Sequence, residues 1–228
     1  SANTPGGYAT HVLVPHAKYL LDYGSTAPAL AAAYMCSGLT AFSAMKKVGK
    51  LGPEDQVVVL GVGGVGMMGV QFAKALFGKG PIAADIDDAR LEAAKKAGAS
   101  ATYNTKDPAS AKKLMADTRG GAFAVVDFVG SEATFAFANS IVRKGGKIII
   151  VGLFGGAMAM PIPMFPMRAL TIAGSFVGSL PETEEMMALV RAGKVDAIPY
   201  QTRPLSEATK TLDDLRGGKI VGRVVLTP

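Results

Sequence analysis

Glycines at 61, 63 and 66 form a Gly-x-Gly-x-x-Gly run, Gly61-Val62-Gly63-Gly64-Val65-Gly66, directly after the apolar residues 57–60. Each glycine suits one step in binding a pyrophosphate. Gly61 permits the tight turn from strand to helix, Gly63 lets the backbone approach the phosphates, and Gly66 lets helix and strand pack closely. With Gly64 and Val65 they open a helix whose first N–H groups and partial positive charge face an anion. Asp85 lies 19 positions beyond Gly66, at the end of the next short apolar run. A carboxylate there accepts two hydrogen bonds from a ribose 2′,3′-diol and repels a 2′-phosphate, which favours NAD over NADP. Asp87 and Asp88 suit capping of the following helix instead. Arg90 either flanks the adenosine or is a solvated helix residue.

A glycine loop carries this meaning only between a strand and a helix. The pattern supplies both: a strand over 56–60, apolar from Val57 to Leu60 as a strand buried on two faces should be, and a helix over 66–77. Strands over 81–84, 101–102, 123–128, 147–151 and 169–173 then alternate with helices over 88–97, 108–118 and 132–142. That succession predicts an α/β fold with a parallel, doubly wound sheet of the Rossmann type. Before it lie a strand over 8–14 and an Ala-rich helical region over 27–47, broken near Ser37-Gly38. After it come helices over 182–192 and 206–217 and a final strand over 222–226.

The 228 residues allow one large domain or one domain plus an extra lobe, and 49% hydrophobic against 18% charged residues implies a thick core. The net charge of +6 is compatible with an anionic partner. The basic residues are scattered, with no cluster interleaved with aromatics, so nucleic-acid binding is not expected. Apolar runs such as 147–153 fall short of a membrane span, and no charged-then-apolar leader opens the chain. The single cysteine, Cys36, excludes an intramolecular disulfide and suits a reducing cytoplasm.

Several separated motifs are similar in order and spacing to zinc-dependent medium-chain alcohol dehydrogenases. They are Gly6-Gly7-Tyr8-Ala9, the stretch from Ala31 through Cys36 and Thr40 to Phe42, the glycine loop, Val151-Gly152, Gly174-Ser175-Phe176, and Gly222-Arg223-Val224-Val225-Leu226. The resemblance runs through nearly the whole chain. It implies that Cys36 is a ligand of catalytic zinc and that Thr40 lies against the nicotinamide ring. It further implies that backbone groups of Val151 and Phe176 hold the carboxamide, and that Arg223 reaches the pyrophosphate. On this basis residues 1–26 are a remnant of a GroES-like catalytic domain, 27–195 the NAD-binding domain, and 196–228 a segment returning toward the catalytic domain.

The remaining zinc ligands and the proton relay of that family belong to an N-terminal domain that this sequence does not show. His11 and His16 read better as solvated or locally hydrogen-bonded than as replacements. The expectation is therefore a chain that binds NAD(H) but does not itself transfer hydride between an alcohol and the coenzyme. Two other readings remain: a zinc-free quinone or enoyl reductase of the same superfamily, and a non-catalytic nucleotide-binding module. The resemblance also implies an alcohol, aldehyde or ketone substrate and a homodimer or homotetramer, with the strand near 169–176 as the pairing edge. The methionine-rich stretches 153–160 and 164–167 read as core packing rather than as a substrate wall.

Overall fold

The structure, a computed structural model, describes residues 6–228. Ser1 to Pro5, which open the expected catalytic-domain remnant, lie outside the described residues. After a single 3-10 turn (Ala17–Tyr19) comes a helical run: α1 (Pro28–Ala33), a π-helical turn (Tyr34–Gly38) and α2 (Leu39–Val48). The expected break near Ser37-Gly38 is thus a widened turn, not an interruption. Gly38 permits it, because a Cβ there would come within 2.8 Å of the Tyr34 ring.

The alternating body follows as β1 (Val57–Leu60), α3 (Gly64–Phe77), β2 (Ile82–Asp85), α4 (Asp88–Lys96), β3 (Ala101–Asn104), α5 (Ser110–Asp117), β4 (Ala122–Asp127), α6 (Glu132–Ile141) and β5 (Val142–Ile150). A short α7 (Met164–Arg168), β6 (Thr171–Gly174) and α8 (Leu180–Arg191) complete it. All six strands are parallel, in the order β3-β2-β1-β4-β5-β6. This is the doubly wound Rossmann topology expected, and its strand order reverses between β1 and β4, where a crevice opens at the carboxyl ends.

Strand alternation divides the core in two. Val57 and Val59 face one side, packed with Phe42, Met45, Met68 and Phe72 of α2 and α3 and Met186 and Met187 of α8. Val58 and Leu60 face the other, with Leu114 of α5 and Ala138 and Ile141 of α6. Each fully buried side chain of this size contributes roughly 1.5–3 kcal/mol, so the sheet is held from both faces. The run Pro28–Val48 is, by length and composition, apolar enough to cross a membrane, although it is not among the apolar runs named from the sequence. Its apolar residues Ala41, Phe42, Ala44, Met45 and Val48 are instead buried in the first core.

Four local expectations need correction. The strand over 8–14 is not formed: the segment is exposed and irregular, and no described strand lies beside it to pair its N–H and C=O groups. β5 starts at Val142, ahead of the polar Arg143-Lys144-Gly145-Gly146, and a register shift against β4 accommodates the extra residues. A strand absent from the sequence reading, β7 (Tyr200–Pro204), precedes α9 (Ala208–Arg216) and pairs in parallel with β8 (Arg223–Thr227). The reading of 153–160 and 164–167 as core packing fails for Leu153, Phe154, Met158 and Met167, which are exposed where the chain crosses the surface between β5 and β6, and holds for Met160, which packs against the second core.

Candidate functional site

The glycine loop leaves β1 at its carboxyl end. Gly61 adopts φ +83°, which only glycine takes without strain, and its N–H donates to the Ala84 carbonyl at 2.7 Å. A side chain at Gly66 would overlap the Gly61 carbonyl, so the start of α3 can sit against the strand only because this position is bare. Gly63 differs. A Cβ there would meet nothing within 4 Å, leaving open space above the backbone where a phosphate would approach.

Asp85 ends β2 beside this loop and is 5% exposed. Its Oδ2 accepts the Val62 N–H at 2.7 Å and its Oδ1 the Asp87 N–H at 3.1 Å. These two bonds fix the carboxylate against the loop, and each oxygen keeps a further acceptor site. Arg90 Nη1 stands 4.0 Å from Oδ1. Capping of α4 falls to Asp87, which accepts the Arg90 N–H, as its position suggested. Together Gly61, Gly63, Gly64, Val65, Gly66, Asp85 and Arg90 line one cleft of about 320 Å³, with Phe128, Val129 and Phe154 on its other side.

Arg223, the first residue of β8, comes to the loop from far along the chain. Its Nη2 donates to Ser37 Oγ in the π-helical turn, and a Cβ on Gly64 would lie 2.7 Å from its Nε. That Nε is buried and has no hydrogen-bond partner among the described residues. Burial pulls the guanidinium below the ordinary arginine range, partly offset by the neighbouring Cys36 and Tyr8. A buried cationic donor left unpaired is costly, and an anion over the loop would relieve it. The cradle and the orphaned donor both fit a diphosphate.

The other expected residues are not part of that cleft's lining. Cys36 is exposed on the π-helical turn, and Thr40 is half-buried one turn further on. Val151 is buried just beyond β5, with its N–H given to the Asp127 carbonyl at 2.8 Å, which leaves its own carbonyl as the group it can offer. Phe176 is exposed beyond β6, next to Val177, whose φ of +50° strains a β-branched residue. His11 and His16 are locally bonded, to Thr10 Oγ1 and the Lys18 N–H. A catalytic zinc typically takes three protein ligands. Among the described residues no three His, Cys, Asp or Glu side chains stand together, so the lone Cys36 thiol does not fit a zinc ion by itself.

The sequence reading missed Phe128, Val129, Phe154 and Ser37. Phe128 and Val129 follow β4 directly, and a sheet whose order reverses between β1 and β4 places the residues after both strands at the crevice. That signal was available once β4 was drawn. Nothing in the sequence joined Ser37 to Arg223.

Residues 64–192 match the model of a protein family described as zinc-binding dehydrogenase. The chain belongs to the zinc-binding dehydrogenase family. Among curated members, an NAD-dependent alcohol dehydrogenase of Sulfurisphaera tokodaii is 38% identical over 228 residues, and one of Saccharolobus solfataricus 36% identical over 229. Each alignment takes in 99% of this chain but 65% of the relative's length. Among solved structures, an NAD-dependent alcohol dehydrogenase superposes with a TM-score of 0.87 at 31% identity, over 98% of this chain and 65% of that one. The alcohol dehydrogenase of Aeropyrum pernix gives 0.80 at 33% identity, over 86% and 57%.

Proposed function

We propose that this member of the zinc-binding dehydrogenase family is the coenzyme-binding part of an NAD-dependent alcohol dehydrogenase, acting in the cytoplasm on an alcohol, aldehyde or ketone. The observation that carries the reading is Asp85: a carboxylate oriented by two backbone N–H groups, at the rim of a glycine-loop cleft. Its remaining acceptor sites suit a ribose 2′,3′-diol, and its charge opposes a 2′-phosphate.

When bound, NAD supplies the C4 carbon that accepts hydride from the alcohol. The chain's own residues bind and orient. N–H groups at the start of α3 and the Arg223 guanidinium hold the diphosphate. Arg90 flanks the adenosine. The Val151 carbonyl and the backbone at Phe176 orient the carboxamide, and Thr40 lies against the ring, so that one face of the nicotinamide is turned to the substrate. A second copy of the chain pairs along the β6 edge. The names of the relatives support this reading, as does the fit of the loop to a dinucleotide.

Calorimetric titration of the chain with NAD⁺ and NADP⁺ tests it, with Asp85→Ala as the control. NAD⁺ should bind the wild type more tightly than NADP⁺, and the substitution should weaken NAD⁺ about tenfold or more, as loss of hydrogen bonds to a charged group does. Equal affinity for the two nucleotides, or no binding of either by a folded wild-type chain, would sink the reading.

A further inference from the structure

Phe154 is a large aromatic residue that the fold holds out of its core, at 83% exposure. Its backbone is well anchored. The Phe154 N–H donates to the Val129 carbonyl at 3.1 Å and the Gly155 N–H to the Gly130 carbonyl at 3.0 Å, with a parallel bridge between Ser131 and Gly155. Further on, Glu132 Oε1 accepts the Ala157 N–H at 3.0 Å. These bonds continue the β4–β5 pairing past the end of the sheet. The side chain lines the same cleft as the glycine loop, Asp85, Phe128 and Val129.

Strand order decides which part of a ligand it meets. Asp85 ends β2, on one side of β1, whereas Phe154 comes from beyond β5, on the far side of β1 and β4. A molecule with its diphosphate on the loop and its adenosine ribose at Asp85 must send its other half toward Phe154. Resting on the dinucleotide reading above, we propose that Phe154 packs over the nicotinamide riboside half of the coenzyme and makes the cleft prefer a dinucleotide to an adenosine mononucleotide. An aromatic side chain fixed at its backbone offers a flat apolar face to a sugar or a planar ring at little entropic cost.

The test is calorimetric titration of the full chain with NAD⁺ and with AMP, for wild type, Phe154→Ala and Asp85→Ala. Phe154→Ala should weaken NAD⁺ at least fivefold and leave AMP within twofold of wild type, while Asp85→Ala weakens both. The side chain is exposed, so its truncation does not threaten folding. NAD⁺ affinity within twofold of wild type in Phe154→Ala, or an equal loss for AMP, overturns the proposal while the dinucleotide reading stands. Failure of the wild type to bind either ligand overturns the dinucleotide reading and this one with it. Phe154→Trp provides an independent measure, because the chain has no other tryptophan. NADH should quench its emission; unchanged emission at saturating NADH also overturns the proposal.

Discussion

A single methyl group separates the roles of two glycines in the loop. At Gly66 it would strike the Gly61 carbonyl, and backbone cannot move aside cheaply. Gly66→Ala should therefore push α3 off β1 and destabilise the chain by about 1–3 kcal/mol, read as a lower urea midpoint. At Gly63 the same methyl meets no atom, and the backbone there (φ −67°, ψ −165°) is open to any residue. Gly63→Ala should leave the urea midpoint nearly unchanged yet weaken NAD⁺, since the methyl fills the space kept for the phosphates. Equal stability loss in both variants would show that Gly63 is a packing residue. The types and spacing of the loop and of Asp85 were legible in the sequence because they act over short chain distances. The contact between Ser37 and Arg223 was not, since 186 positions separate the two, and Arg223 itself was placed at the pyrophosphate only by the family resemblance.

Helix α8 is one wall of the first core, and its start is secured by a reciprocal cap. Ser179 Oγ accepts the Glu182 N–H, and Glu182 Oε2 accepts the Ser179 N–H at 2.8 Å. That backbone bond, more than any other influence, holds the Glu182 carboxyl below the ordinary glutamate range. A depressed carboxylate stabilises the fold at pH values above its unfolded pKa, and the contribution fades as pH falls through the folded one. Glu182→Gln should thus lower the urea midpoint at pH 7 and have little effect near pH 3. A gap between the two proteins that persists unchanged at pH 3 would mean that the carboxylate charge is not what the cap uses. The Ser179-Leu180-Pro181-Glu182 pattern announces this helix in the sequence, although Glu182, not Leu180, was read as its start. β7 escaped notice because Tyr200-Gln201-Thr202-Arg203-Pro204 is polar and ends in proline. Pairing with β8 overrides that weak local preference.

At the scale of the molecule, the sheet ends in two open edges, β3 and β6. An unpaired strand edge is a template for another strand, and β6 is partly exposed along its length, with Thr171 and Gly174 exposed at its two ends. Pairing of two copies along β6, as proposed, predicts a dimer by sedimentation velocity. Thr171→Lys should shift that dimer toward monomer without lowering the melting temperature, because the residue lies outside both cores. A wild-type chain that sediments as a monomer at every concentration would remove β6 as the pairing edge.

By itself the sequence determined the alternation of strands and helices, the position of the glycine loop between β1 and α3, and the acid at the end of β2. Hydrophobic period, capping and turn preference all act within a few residues, so each leaves a local mark. Only the tertiary structure decided what those marks meet. It set Arg223 against Gly64 and Ser37, joined β7 to β8, denied the segment over 8–14 a partner strand, and held Phe154 in the cleft instead of the core. Such contacts join residues far apart in the chain, and their energy comes from packing and desolvation, which no short stretch of sequence encodes alone.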